Sequence, residues 1–267
     1  MNNEWELKNF IIEIGKRIWT RGYVASNDGN ISVKLNDNEI LTTPHGVSKG
    51  FMNMEMIIKV DTVGKVISGN SKYHPSSELK MHLEVYKERS DVKSVVHAHP
   101  PYATSFAVAG IPLNKCVLPE AIMVIGAVPT AKYGLPSTME IPDAIREYIK
   151  NSDAILLENH GALTLGSNLL NAYHNMETLE HTASIVWKAL QLGNLNVLPE
   201  NERDRLMGLR DKFKLQGRVA NCDSCPMPSK EKQQFVSSES SCPCKNDNTE
   251  QTIREITEKV LAKIKQL

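Results

Sequence analysis

The sequence predicts an α/β layered domain around a mainly antiparallel sheet, and three observations carry that reading. Short apolar runs of strand length are interspersed with longer segments of helical period, so both element types are present. They mix without the regular strand–helix–strand rhythm of a doubly wound parallel sheet. Several strand-length runs are joined by links of a few polar residues, which only antiparallel neighbours allow.

Each element follows from its residues. Leu7, Phe10, Ile11, Ile14 and Ile18 repeat at the helical period and predict an amphipathic helix over 4–22. The polar glycine loop "SNDGNIS" (26–32) leads into "ISVKL", which forms a hairpin with "EILTT" across "NDNE". After a second glycine loop, "TPHGVSKG", the runs "MIIKVD" and "KVISG" predict another strand pair. In "HPSSELKMHLEVYKER", Pro75 bars an earlier helix, Ser76 or Ser77 can cap, and Glu78 is expected in the first turn. "KSVVHAH" reads as a short buried strand and "PYATSFAVAG" as a helix of small residues. "GAVPTAK" comes next as a strand, "STMEIPDAIREYIKN" as a helix, and "AILLENHGALTLG" as strand, tight turn and strand. Helices are expected over 168–193 and 199–216.

Composition excludes several function classes. Lysine plus arginine and aspartate plus glutamate number 31 each, so no global field recruits nucleic acid or anionic lipid. No apolar run approaches the ~18 residues that span a bilayer. "MNNEWELKNF" lacks the basic and apolar regions of a secretory signal, and five cysteines, an odd number, suit a reducing cytoplasm.

The chemistry concentrates in "SVVHAHPPYATS". Residues two apart on a strand share a face, so His97 and His99 point the same way and can grip one metal ion. His160 occurs before Gly161 in "LLENHGAL", where glycine permits a sharp turn. Glu78, at a helix N-terminus that favours a carboxylate, supplies a fourth ligand type. Singly, each is an ordinary strand-end or turn histidine or a helix-capping charge. Together, three imidazoles and a carboxylate on separate elements make a tetrahedral set, and a Glu78 able to leave it becomes a base. A second group reads as phosphate binding. Residues 29–30, 43–46 and 76–77 offer backbone N–H groups, an amide and hydroxyls, and the last pair opens a helix.

"GNIS", "TTPHGV", "PSSE", "HAH" and "ENHG" stand in the order and spacing of class II aldolase/adducin-type proteins. The chain resembles this family over roughly residues 4–217, most of all its L-fuculose-1-phosphate aldolase branch. The resemblance implies a three-layer α/β/α fold and a homotetramer of fourfold symmetry with active sites at subunit interfaces. It implies one Zn2+, or another divalent metal, per subunit on Glu78, His97, His99 and His160, with Glu78 also the catalytic acid/base. It assigns substrate phosphate to Asn30, His45, Gly46, Ser76 and Ser77. The implied reaction is aldol cleavage of a 6-deoxyketose 1-phosphate (L-fuculose or L-rhamnulose 1-phosphate) to dihydroxyacetone phosphate and lactaldehyde. Pentulose-phosphate 4-epimerase or sugar-phosphate dehydratase activity would keep the same site, and a non-catalytic adducin-like binding domain would lack the metal set. Three departures bear on the substrate. His45 replaces the threonine of "TPTG". The stretch "LPEAIMV" (118–124) has no tyrosine where the branch places its general acid, leaving Glu120 as the titratable group and Tyr133 as a second candidate. "KFKLQG" carries Gln216 where the branch's mobile tail has tyrosine.

Composition changes near 218. A segment of serines, lysines and prolines over 218–247 cannot bury enough surface to offset its ordering entropy, which predicts a disordered linker after a 1–217 catalytic domain. It holds Cys222, Cys225, Cys242 and Cys244, either a thiol-rich tether or a zinc site. Residues 248–267 then place Ile253, Ile256, Val260, Leu261, Ile264 and Leu267 on one helical stripe. This helix resembles the encapsulation peptides of bacterial microcompartments, which implies a shell or cargo protein as partner through 250–267.

Overall fold

A computed structural model of the chain describes residues 3–222. Its strands are β1 (Asn30–Lys34), β2 (Ile40–Thr42), β3 (Ile58–Val60), β4 (Val66–Ser68), β5 (Ser94–Ala98), β6 (Thr130–Ala131), β7 (Ala154–Leu157) and β8 (Gly161–Gly166). They form one sheet in the order β4-β3-β2-β1-β5-β8-β7-β6. Every neighbouring pair is antiparallel except β6 with β7. The mainly antiparallel α/β fold expected from the sequence is therefore the fold observed.

The alternation of side chains along β1 and β5 separates two apolar layers. Ile31, Val33, Val96 and Ala98 face one layer, which α1 (Glu4–Thr20), α3 (Pro101–Ala109) and α6 (Leu169–Leu192) cover. Val95, Leu163 and Leu165 face the other, covered by α2 (Leu79–Glu88) and α5 (Glu140–Ile145). α1 buries Ile11, Ile14, Gly15 and Ile18, the i, i+3, i+4, i+7 stripe of an amphipathic helix. Each fully buried isoleucine contributes about 1.5–3 kcal/mol. Asn3 caps this helix by accepting from Trp5 N at 3.0 Å. At two glycines α1 meets the 3-10 turn Lys49–Phe51 very closely. A Cβ on Gly15 would lie 2.8 Å from Lys49 O, and one on Gly50 2.4 Å from the Trp19 indole. Trp19 and Phe51 pack edge to face, with ring centroids 5.2 Å apart.

The structure corrects several element boundaries. α2 starts at Leu79 rather than at the serines; Glu78 is its N-cap residue, and its side chain makes no cap bond because it is used elsewhere. The strand expected over 126–132 shrinks to Thr130–Ala131, since Pro129 has no N–H to donate to a ladder. The helix expected over 137–151 ends at Ile145, beyond which Tyr148 N→Ile145 O and Asn151 N→Tyr148 O are turn bonds. Residues 118–124, to which the sequence alone gives no element, form helix α4 (Pro119–Val124). The last described helix, α7 (Glu200–Lys212), ends short of 216, near Lys214 at φ 54°.

The chain stays on the domain past 217. Arg218 N donates to Asp153 Oδ2 at 2.9 Å, and Ala127 N to Ala220 O at 2.9 Å. Asp153 also accepts from the buried Arg89 at 2.8 Å. Cys222, read from the sequence as one of the linker thiols, lies beside Cys116 of the domain and pairs with it, with Cα atoms 6.2 Å apart. The remaining linker cysteines and the helix of 248–267 lie outside the described residues. Among the described residues no helix is long and apolar enough to cross a membrane.

Candidate metal centre

Three elements converge on one point. β5 delivers His97 near its C-terminal end and His99 just beyond it. The tight turn between β7 and β8 delivers His160, and the residue ahead of α2 delivers Glu78. The ligand nitrogens of His97, His99 and His160 lie within 4.8 Å of one another. Glu78 reaches His160 Nε2 at 3.1 Å and His97 Nε2 at 3.4 Å. Gly161 makes the approach possible, because a Cβ there would stand 2.5 Å from His99 Cδ2 and 2.6 Å from Ala98 O.

Tautomers show that this donor set fits a cation. His97 Nδ1 lies 2.9 Å from Ala162 O, and a carbonyl can only accept, so Nδ1 carries a proton and Nε2 is the ring atom turned toward the cluster. His99 turns Nδ1 toward Asp28 Oδ2 at 3.5 Å, which aims its own Nε2 inward. The two Nε2 atoms are 3.1 Å apart. Two lone pairs at that distance repel unless a cation or a proton stands between them. His160 Nδ1 is also buried without a hydrogen-bond partner among the described residues. Imidazoles tied through the far nitrogen to a carbonyl or carboxylate are how metal-binding histidines are usually oriented.

The charges agree. Burial disfavours ionisation of Glu78, but the His97 and His160 imidazoles outweigh it and hold the carboxyl well below the usual range. Burial, then repulsion from His97 and His160, pushes His99 down to about 3, so its ring is a free base at neutral pH, as metal binding requires. For His97, burial opposes protonation, yet the Glu78 carboxylate prevails and raises it. One turn below Glu78 on α2, His82 is buried with Nδ1 2.7 Å from Ser32 Oγ.

The phosphate-type loops meet beside this cluster. His45 N donates to His74 O at 2.8 Å and Ser76 N to Thr43 O at 3.3 Å, which sets His45 and Gly46 alongside Ser76 and Ser77. His45 and Gly46 are exposed. Asn30 is buried, and its Nδ2 donates to Glu78 Oε2 at 3.0 Å, so its amide is engaged in orienting the carboxylate. Glu120 is elsewhere in the single chain. It lines a cleft of about 630 Å³ with Arg21, Tyr23, Tyr102 and Glu180, among whose walls none of the four candidate ligands appears. Tyr133 is 53% exposed, its N–H bonded to Glu158 Oε2 two residues before His160. Gln216 accepts from Ser167 at 2.9 Å, far along β8 from the cluster.

Sequence reasoning missed Asp28, Lys49 and Glu180. Asp28 sits in a polar loop where an acidic residue signals only solvation, although its place before Gly29 and Asn30 was a clue. Lys49 comes after the second glycine loop and reads as a solvated charge, yet its side chain is buried. Glu180 accepts from Tyr102 N and Ala103 N at 2.9 and 2.8 Å, capping α3 from α6, a pairing separated by 78 and 77 positions that no local pattern announces.

Comparison with known proteins places these features in a family. Residues 9–187 match the class II aldolase and adducin N-terminal domain. The chain is 38% identical to an L-fuculose phosphate aldolase of Methanococcus vannielii over 180 residues, 67% of this chain and 94% of that one. It is 32% identical to a 3-oxo-tetronate 4-phosphate decarboxylase of Haemophilus influenzae over 199 residues, 73% and 93% of the two chains. A solved L-fuculose 1-phosphate aldolase structure superposes with a TM-score of 0.73 at 32% identity, covering 80% of this chain and 98% of that one.

Proposed function

Because the chain belongs to the class II aldolase and adducin N-terminal domain family, we propose that it is a metal-dependent lyase that cleaves the carbon–carbon bond one removed from the ketone of a sugar phosphate, between its α and β carbons. One observation carries the reading. A carboxyl group, that of Glu78, is held against two of three clustered histidines at the end of the segment that also presents Ser76 and Ser77.

The substrate favoured is a 6-deoxyketose 1-phosphate, split to dihydroxyacetone phosphate and lactaldehyde. Breaking the C3–C4 bond leaves its electron pair as an enediolate over C2 and C3, while the C4 hydroxyl loses its proton to become the aldehyde. A divalent ion on His97, His99, His160 and Glu78, zinc by the ligand set, would supply Lewis-acid stabilisation of the enediolate oxygens. Asn30 fixes Glu78, which is placed to carry the proton to C3. His45, Gly46, Ser76 and Ser77 hold the phosphate, remote from the bond that breaks, and so orient it. The C4 proton needs a second group. Glu120 of a neighbouring copy fills that role in a homotetramer with sites at its interfaces, and Tyr133 is the alternative. We place the enzyme in the cytoplasm, inside a microcompartment reached through 250–267; the apolar stripe of the sequence supports that placement.

A second reading has its own support. Decarboxylation of 3-oxo-tetronate 4-phosphate leaves the same enediolate, with carbon dioxide in place of the aldehyde. No hydroxyl proton has to be removed, so the absence of tyrosine over 118–124 would cost nothing. The decisive experiment supplies L-fuculose 1-phosphate, L-rhamnulose 1-phosphate and 3-oxo-tetronate 4-phosphate separately. Equimolar dihydroxyacetone phosphate and lactaldehyde from a ketose phosphate is the expected result. Carbon dioxide with dihydroxyacetone phosphate, from the acid alone, selects the second reading, and no dihydroxyacetone phosphate from any of them defeats both. His97→Ala should lose bound metal and turnover together, measured by elemental analysis and assay of one preparation.

A further inference from the structure

Lys49 is among the largest fully buried side chains of the described domain, with 1% of its surface exposed. Burying an ammonium is costly, and proteins usually pair such a group with a carboxylate at hydrogen-bond distance. Here Nζ instead donates to two main-chain carbonyls, Asn27 O at 3.0 Å and Val47 O at 2.6 Å. These belong to different loops. Asn27 lies in the 26–30 loop that ends on Asn30, the partner of Glu78. Val47 lies in the 43–48 loop that carries His45 and Gly46.

We propose that Lys49 is a positioning residue for the substrate phosphate: its ammonium ties the 26–30 loop to the 43–48 loop and fixes the phosphate-binding groups relative to the metal cluster. The inference rests on the sugar-phosphate reading above. Each loop also has anchors of its own. Gly29 is pressed on β5, where a Cβ would lie 2.8 Å from His97 O. The second loop is bonded to β1 through Thr43 N→Ile31 O at 3.0 Å and to the serine segment through His45. Between the apices of the two loops, the Lys49 side chain provides the link. Its own backbone is fixed by the close approach of α1, since Gly15 leaves no space above Lys49 O. Burial draws the Lys49 ammonium down to about 8, and Asp28 and Glu78 are the anions that oppose this. A cation beneath two loops of backbone N–H groups also adds to their attraction for an anion.

A merely structural lysine and a positioning lysine differ in kinetics. Wild-type protein and Lys49→Met are assayed with the phosphorylated ketose and with the same sugar unphosphorylated, and metal content and thermal melting are recorded for each. The expected result is a KM for the phosphorylated sugar raised about tenfold or more, with kcat within about threefold and metal content unchanged. Lys49→Arg, which keeps charge and donors, should recover most of the lost affinity. If Lys49→Met does not fold, Lys49→Leu, which likewise removes both the donors and the charge, carries the same test. An unchanged KM, or equal losses with both sugars, overturns the inference and leaves the phosphate reading intact. A wild-type protein with no preference for the phosphorylated sugar overturns that reading, and the role of Lys49 with it.

Discussion

At the scale of single residues, the cluster is ordered by the bonds made on its outer side. The carbonyl of Ala162 takes the Nδ1 proton of His97, Asp28 faces that of His99, and Asn30 holds one oxygen of Glu78. What remains pointing inward is a set of atoms of the types that ligate metals. Glu78→Gln keeps the shape but removes the titratable oxygen, so turnover should fall about 10²–10⁴-fold. Inhibition by inorganic phosphate should persist in that variant; normal turnover would make Glu78 only a ligand. Ser76→Ala should raise KM with little change in kcat, which steady-state kinetics resolves. The four ligand candidates could be read from the sequence because residue type and strand spacing restrict what such side chains do. Asp28 and Lys49 could not, because their roles depend on which loop lies against them.

At the scale of elements, strong periods were legible and short or interrupted ones were not. The stripe of α1 and the length of α6 come directly from apolar spacing, and tertiary packing keeps both. The serines ahead of α2 misled because local capping competes with a long-range demand. The carboxylate of Glu78 is drawn to His97 and His160, so the helix begins one residue after it. Where elements meet, the tolerance is small. Gly161→Ala would put a methyl within 2.6 Å of Ala98 O, a backbone atom that cannot rotate away. The turn carrying His160 must then shift, and metal affinity should drop about 10–100-fold, as when a group supporting a ligand is disturbed. Titration with a competing chelator measures it, and unchanged affinity would show that the turn has slack.

At the scale of the whole molecule, one ion network ties the end of the described chain to the sheet. Arg89 binds Asp153 and Asp91, Asp153 binds the Arg218 backbone, and the Arg218 side chain returns to Lys150 O and Asp91. Arg89 and the Asp153 side chain are 1% and 4% exposed, so solvent screens the pair little. Breaking a buried pair by removing one partner costs about 3–5 kcal/mol. Asp91 offsets part of this for Asp153→Asn, whose melting temperature should nonetheless fall well below wild type while the metal content of folded protein is retained. This network was illegible in the sequence. Its members are up to 127 positions apart, and the change of composition near 218 marks a boundary without showing that Arg218 itself is anchored. Residues 248–267 lie beyond this anchor. Removing them should leave the cleavage rate of purified protein unchanged, and a lowered rate would show that they serve the site directly.

The edge-to-face contact of Trp19 with Phe51 gives the protein an optical signal. The sequence has three tryptophans, Trp5, Trp19 and Trp187. Trp19 touches the turn that begins with Lys49, through both Phe51 and Gly50. Any displacement of that turn changes the surroundings of one indole and therefore its emission. In protein carrying Trp5→Phe and Trp187→Phe, fluorescence should change saturably as phosphate is titrated, with no label attached and no turnover needed. The midpoint would give a dissociation constant for the loops alone, and a flat trace would mean that phosphate does not displace the turn.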